Sequence, residues 1–424
     1  MSTVTITLLF LLFAVVMFVL EKIPLAVTAM LVCVGLVVTG VLTPAAAFAG
    51  FVSSPVILFV GMFVVGGALF ETGMASQIGG VITKLKFIKG EKGLIVVVML
   101  LGASLSVFLS NTGTAAILIP ILVGVAAKKN VARSKLLIPM VYAVALGSNT
   151  SLIATPGNMI AHSALVTATG SGFGFFELTK IGLPMIALGI IYFTTIGYKL
   201  LPNHATTDGA FSGQADYSTV PAYKRYLALA IMLFTVFLMI IGQYIGLAIN
   251  IASTIGAILM VLTKVINEKQ AYKAIDLKVV FLFGGTLALA AAMQASGADR
   301  VIATAVISLL GGENAAPFAL LAAILLITGG LAQFMSITAS VALMVPISLS
   351  VAQTMGADPR ALMAATVVGA SCAFTTPIAT PPNVMIVGVG GYKFSDFTKV
   401  GLPLFIICLT VSAVLLPILF PFFP

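Results

Sequence analysis

Charge is scarce in this chain. Asp, Glu, Lys and Arg make up 8% of its 424 residues, and 60% are hydrophobic; a soluble domain carries about 25% charge. That excludes an ordinary soluble fold and points to an all-α polytopic membrane protein. Histidine is scarcer still, with two residues, and Cys33, Cys372 and Cys408 are the only cysteines. All three lie in apolar segments and are odd in number, which excludes a disulfide framework and a thiolate metal centre. An intramembrane enzyme needs a nucleophile–base or metal constellation, and His162 and His204 with no acid at depth supply none, so no catalytic residue is assigned. The apolar first 20 residues have neither a basic start nor a small-residue cleavage site. They read as a first span rather than a signal peptide.

What is present is a series of uncharged runs. Spans are expected at about 3–20, 24–40, 56–72, 136–165, 180–198, 226–246, 248–264, 279–296, 361–388 and 397–420, each needing about 20 residues to cross. Two further runs, 93–127 and 314–357, are too long for one span and polar at the centre. Each reads as a re-entrant hairpin with its tip near mid-membrane.

The net charge of +9 is spread over short loops, which is a topology signal and not a nucleic-acid surface. With the N-terminus outside, every Lys and Arg except Lys180, Arg300 and Arg360 falls on the cytoplasmic side. Lys84, Lys86, Lys89, Lys92, Lys128, Lys129, Arg133 and Lys135 flank the first hairpin, which therefore enters from the cytoplasm. Asp299, Arg300, Glu313, Asp358 and Arg360 flank the second, which enters from outside.

The halves resemble each other. Ser110, Thr112, Ala116, Pro120 and Ile121 recur as Ser336, Thr338, Ala342, Pro346 and Ile347. Thr155, Pro156 and Asn158 recur as Thr380, Pro381 and Asn383, and "TKIGLP" at 179–184 recurs as "TKVGLP" at 398–403. With five spans, a hairpin and a broken helix in each half, the second copy is inserted upside down. Inverted repeats of this kind mark secondary transporters. The broken helices are "ALGSNTSLIATPGNMIAHS" (145–163) and "GASCAFTTPIATPPNVMIV" (369–387), where Gly, Ser, Thr, Asn and Pro sit where a helix should continue. Unwound backbone at this depth survives only when buried in protein or lining a wet cavity. There its carbonyls suit a cation and the half-helix N-termini suit an anion.

These features, with "SNTGTAAILIPI" and the "TPGN" and "TPPN" ends of the broken helices, resemble the divalent anion/sodium symporter family of the ion transporter superfamily over about 24–420. The resemblance implies a homodimer in the plasma (inner) membrane, working as an elevator-type transporter. Scaffold spans and an interfacial arm would occupy 1–92 and 226–312, the two halves of the moving domain 93–200 and 313–424, and a cytoplasmic linker 201–225. It implies sodium-coupled symport of a small anion, a di- or tricarboxylate or a sulfate-like oxyanion, with Na+ as co-transported ion. The implied first sodium site is Ser106, Ser110 and Asn111 with Gly147, Ser148, Asn149 and Thr150. The second pairs the tip at 336–338 with Ala373, Thr375, Thr376 and Pro377. The anion would lie between the tips, at Ser110, Asn111, Thr112, Ser336 and Thr338, with Pro156 and Pro381 at the broken helices. The second tip departs from the pattern, with Ile337 where the first has Asn111. The alternative is a Na+/H+ antiporter or a proton-coupled anion or arsenite-type permease, for which His162 is the one titratable candidate in a span. No Asp, Glu, Lys or Arg falls within an assigned site.

The interfacial arms are placed at 73–90 and 298–312, with a plain loop as the alternative for the second. Single cysteines placed near Lys129 and near Asp358, in a chain lacking Cys33, Cys372 and Cys408, should react with an impermeant thiol reagent from the inside and the outside respectively. Labelling of both from one side would refute the upside-down second copy.

Overall fold

A computed structural model describes residues 2–20, 22–74, 77, 90–204, 220–309 and 316–423. Most of the first arm, with Lys84, Lys86 and Lys89, and linker residues 205–219 lie outside the described residues. The described residues form helices and no strand.

The first half runs α1 (Thr3–Leu20), α2 (Leu25–Val38), α3 (Pro44–Phe48), α4 (Ser54–Glu71), α5 (Gly90–Ser106), α6 (Asn111–Lys129), α7 (Ser134–Gly147), α8 (Pro156–Thr169) and α9 (Thr179–Thr194). The second runs α10 (Ala222–Ile245), α11 (Ile249–Leu262), α12 (Glu268–Ala274), α13 (Leu277–Ser296), α14 (Ala298–Leu309), α15 (Pro317–Leu331), α16 (Ile337–Thr354), α17 (Arg360–Ser371), α18 (Pro381–Gly390) and α19 (Phe394–Leu419). Among the described residues α6, α10, α13, α16 and α19 are long and apolar enough to cross a membrane. Most other spans expected from sequence are met by shorter apolar helices.

Both long uncharged runs fold as helical pairs, α5–α6 and α15–α16, and turn at Ser110 and Ser336. Both expected breaks appear, at 148–155 and 372–380. Of the expected second arm, 298–309 form a helix, α14, and 310–312 lie outside the described residues. Two elements were not anticipated. In α3, Thr43 accepts from the Ala46 amide and Pro44 begins the helix. In α12, Asn267 and Gln270 form a reciprocal capping box. Both signals stood in sequence regions read as loops.

The halves interlock. Helix α2 packs on α13 and α4 on α11, while α8 packs on α16 and α18 on α6. Within each half the hairpin's first helix packs on the first part of the broken span, α5 on α7 and α15 on α17. Lys135 at the start of α7 pairs with Glu91 at 2.7 Å, and Arg360 at the start of α17 pairs with Glu177 at 3.2 Å.

The repeated "TKxGLP" acquires a reason here. Thr179 donates its hydroxyl to the Thr150 carbonyl at 2.5 Å, and Thr398 donates to that of Thr375 at 3.0 Å. A Cβ on Gly182 would collide with the Asn149 carbonyl, and one on Gly401 with the Phe374 carbonyl. Each final helix thus closes on the unwound chain because its glycine has no side chain and its threonine supplies a donor.

Gly182→Ala and Gly401→Ala should each lower stability by about 1–3 kcal/mol, the usual cost of overpacking. Gly388→Ala, whose Cβ meets nothing within 4 Å, is the control and should shift the melting temperature far less. Equal melting of all three in detergent would contradict this account of the close approach.

Candidate functional site

Each break in a membrane helix frees carbonyls that no water can reach. The chain answers in both halves with one asparagine. Asn158, fully buried, donates through Nδ2 to the carbonyls of Ser148 (2.8 Å) and Ser151 (2.7 Å). Asn383, 2% exposed, donates likewise to Ala373 (3.2 Å) and Thr376 (3.1 Å). The preceding threonines cap the restarting helices: Thr155 accepts from the Asn158 amide and Thr380 from that of Asn383. A proline follows at N1, where its missing N–H is no loss. The Thr-Pro-x-Asn pattern is therefore a device for restarting a helix and sealing the break behind it.

The hairpin tips use the same logic. Ser110 accepts from the Gly113 amide at 3.2 Å, and Ser336 from that of Ala339, also at 3.2 Å. Hydroxyls then pin each tip to its own break: Ser151 donates to the Val107 carbonyl and Thr376 to that of Gln333, both at 2.5 Å.

The N-termini of α6, α8, α16 and α18 meet at one cavity of about 560 Å3. Small-ligand sites measure about 300–1,000 Å3. Ser110, Asn111, Thr112, Pro156, Ser336, Thr338 and Pro381, the residues expected to touch an anion, all line it. A helix N-terminus carries roughly half an elementary charge, so four together present about +2 without a cationic side chain.

Of the two expected metal sets only the tip residues line this cavity, Ser110 and Asn111 in the first and Ser336, Ile337 and Thr338 in the second, and the sets differ in their contacts. Ser106 donates to the Val144 carbonyl at 2.6 Å and approaches Asn111 Oδ1 at 3.0 Å. Ser148 and Thr150 turn their hydroxyls to the carbonyls of Ala145 and Gly147, at 2.7 and 2.6 Å. Asn149 is 1% exposed and neither Oδ1 nor Nδ2 has a partner. Gly147 packs so tightly on α5 that a Cβ would stand 2.5 Å from the Ala103 carbonyl. In the second set, Thr375 donates through both N and Oγ1 to Gln333 Oε1, each at 2.8 Å. Ala373 gives its carbonyl to Asn383, and Pro377 is partly exposed.

Sequence reasoning missed several lining groups. Glu71, Lys273 and Asp276 border the cavity, because α12 folds back beside the end of α4. Gln270 on α12 donates to Glu71 at 2.8 Å. The cavity is thus uncharged at the tips and charged where these residues line it. Gln333 was also missed. His162 is buried against Gly172 and does not line this cavity.

With this geometry in hand, the comparisons with known proteins are specific. The sequence model of a family described as "Citrate transporter" matches residues 15–369 and 246–423. An uncharacterized transporter of Haemophilus influenzae is 30% identical over 419 residues, covering 95% of this chain and 88% of the relative. The sodium-dependent dicarboxylate transporter SdcS of Staphylococcus saprophyticus is 24% identical over 94% of this chain and 84% of its own length. Among solved structures, the YdaH transporter of Alcanivorax borkumensis superposes with a TM-score of 0.64 at 17% identity, over 88% of this chain and 87% of that one. MtrF of Neisseria gonorrhoeae, described within a class of antimetabolite efflux pumps, gives 0.63 at 15% identity over 100% and 96%. The last two show a shared fold.

The two asparagine seals make a stability prediction. Asn158→Ala and Asn383→Ala should cost about 1–3 kcal/mol for each carbonyl left without a donor. Asn149→Ala removes a side chain with no protein partner and should be close to neutral in sodium-free buffer. Thermal unfolding of the three variants decides; an Asn149→Ala loss as large as that of Asn158→Ala would contradict the assignment.

The chain belongs to the citrate transporter family, within the ion transporter superfamily that also holds the divalent anion/sodium symporters; it is a multi-pass transporter of the plasma membrane and not an enzyme.

Proposed function

We propose that this protein is a secondary active transporter that carries a di- or tricarboxylate together with Na+. The observation that carries the reading is the convergence of four helix N-termini on one cavity whose tip residues are Ser, Asn, Thr and Pro. An anion there meets amide dipoles and hydroxyls instead of a fixed cation. Screened by water in the open cavity, the field of about +2 offsets part of the charge of a dianion, and release stays easy because no salt bridge must break. Thr112 and Thr338, one from each tip, and Asn111 would contact the carboxylates. A co-transported cation supplies the remaining positive charge. Ser106, Asn111 and Asn149, with the loop from Gly147 to Thr150, offer hydroxyl, amide and carbonyl oxygens to it. Such oxygens suit a hard cation, and SdcS, a relative of similar length, is sodium-dependent by name. The family relation favours carboxylates over sulfate.

On this reading the halves are inverted repeats, α5–α9 and α15–α19 form the moving unit, and the other helices form the scaffold of an elevator that works as a homodimer. The division follows the packing: the hairpins and broken helices interlock with one another, and α2, α4, α11 and α13 do the same. Because α12 and the end of α4 border the cavity, and the charge pattern places them in the cytoplasm, the cavity would open inward.

A proton-coupled permease is the second reading. A proton carrier needs a titratable group near the site; His162 lies away from the cavity, and Glu71, Lys273 and Asp276 are the titratable side chains that line it, at the end away from the tips.

Uptake of radiolabelled citrate, succinate and sulfate into proteoliposomes separates these readings. Concentrative uptake of a carboxylate should require an inward Na+ gradient and vanish in choline or K+. Asn111→Ala should lower it at least tenfold, the equivalent of a charge-assisted hydrogen bond of about 1.5–3 kcal/mol. Ile337→Ala should be mild at equal expression. Full uptake without Na+, driven by a pH gradient, would replace sodium coupling with proton coupling.

A further inference from the structure

The two breaks are alike in backbone and unlike in what fills them. The hydrogen bonds fix the correspondence: Ser151 to the Val107 carbonyl matches Thr376 to the Gln333 carbonyl, and Asn158 matches Asn383. In this register Ser106 corresponds to Ala332, Asn111 to Ile337 and Asn149 to Phe374. Asn149, whose side chain has no partner, is thus replaced by an aromatic ring in the second cradle, and Ser106 and Asn111, which bond to each other, are replaced by apolar side chains. Val107, conversely, is replaced by Gln333.

Gln333 is 5% exposed. Its Nε2 donates to the carbonyls of Gly329 (2.7 Å) and Cys372 (3.0 Å). Its Oε1 accepts from the Thr375 amide and hydroxyl, both at 2.8 Å. A backbone N–H can only donate, so the Thr375 amide fixes which end of the carboxamide is oxygen. The carboxamide therefore bridges three places: its NH2 group joins the last turn of the hairpin's first helix to the end of the broken helix, and its oxygen holds the unwound chain at Thr375. In the first half the same region has no such bridge, and both polar atoms of buried Asn149 are without a partner. A buried polar side chain left in this way is destabilising unless a ligand completes it.

We propose that the Gln333 carboxamide stands permanently where a second co-transported cation would sit, so that the protein has a single cation site, in the first half. The amide gives the carbonyls the donors they need and carries no net charge, so this half is complete in every state of the transport cycle. The coupling ion then acts on the first tip alone, through Asn111 and Asn149. The inference rests on the cation-coupled reading above but can be tested apart from it.

The test is the ratio of 22Na+ to anion taken up by proteoliposomes, for the wild type, Gln333→Glu and Gln333→Ser. Glutamate keeps the shape of glutamine but turns an oxygen to the Gly329 and Cys372 carbonyls, and that cluster of oxygens needs a cation. Serine shortens the side chain and opens the cradle. The wild type should carry one sodium ion per anion, and at least one variant should carry one more. Two sodium ions per anion in the wild type would overturn the proposal, as would variants that leave the ratio unchanged. If neither variant accumulates in the membrane, the wild-type ratio decides. A wild type indifferent to Na+ whose Gln333→Glu variant gains a sodium requirement would keep the blocked site and remove the sodium coupling.

Discussion

The structure depends on one constraint: a carbonyl or amide released inside the bilayer must find a partner in the protein. The chain breaks two helices where a site is needed, at 148–155 and 372–380, and then closes each break from three sides. Asn158 or Asn383 closes it from the restarting helix, Ser151 or Thr376 ties it to the hairpin, and Thr179 or Thr398 ties it to the final helix. With the backbone satisfied in this way, four helix N-termini can stand at one cavity without collapse. Tyr142 adds a link between halves: its hydroxyl donates to the Phe374 carbonyl at 2.5 Å, so the second break is also held from the first half.

The chemistry of the cavity follows from the same arrangement. Dipoles of fixed direction bind an anion through a field, and a field of about +2 spread over four helix ends imposes less geometry than an arginine pair. That suits a carrier, which must release its substrate each cycle. Charge enters where α12 meets α4, with Glu71, Lys273 and Asp276 lining the cavity.

Much of this was legible in the sequence, because membranes make polarity informative. Ser110-Asn111-Thr112 stands out inside an uncharged run, and the paired Thr-Pro-x-Asn motifs announce both the breaks and the caps. The repeat of "TKxGLP" was visible as a repeat, although its reason, a threonine donor and a glycine contact on the unwound chain, needed coordinates. Helices α3 and α12 were missed although Thr43-Pro44 and Asn267 with Gln270 are capping signals, since both lie in short stretches between expected spans that read as loops. Gln333 could not have been found from sequence. A lone Gln in an apolar helix gains meaning only when Gly329, Cys372 and Thr375 are seen around it. The orphaned Asn149 is the converse, an ordinary-looking residue whose lack of partners only a structure reveals.

The central claim is that both tips hold the same anion in one cavity. Single cysteines at Thr112 and at Thr338, in a chain lacking Cys33, Cys372 and Cys408, test it through protection from a small thiol reagent in the presence of Na+ and citrate or succinate. The account predicts that the same anion protects both positions, with the same half-protecting concentration. Protection at one tip only, or at two clearly different concentrations, would contradict a single site shared between the two halves.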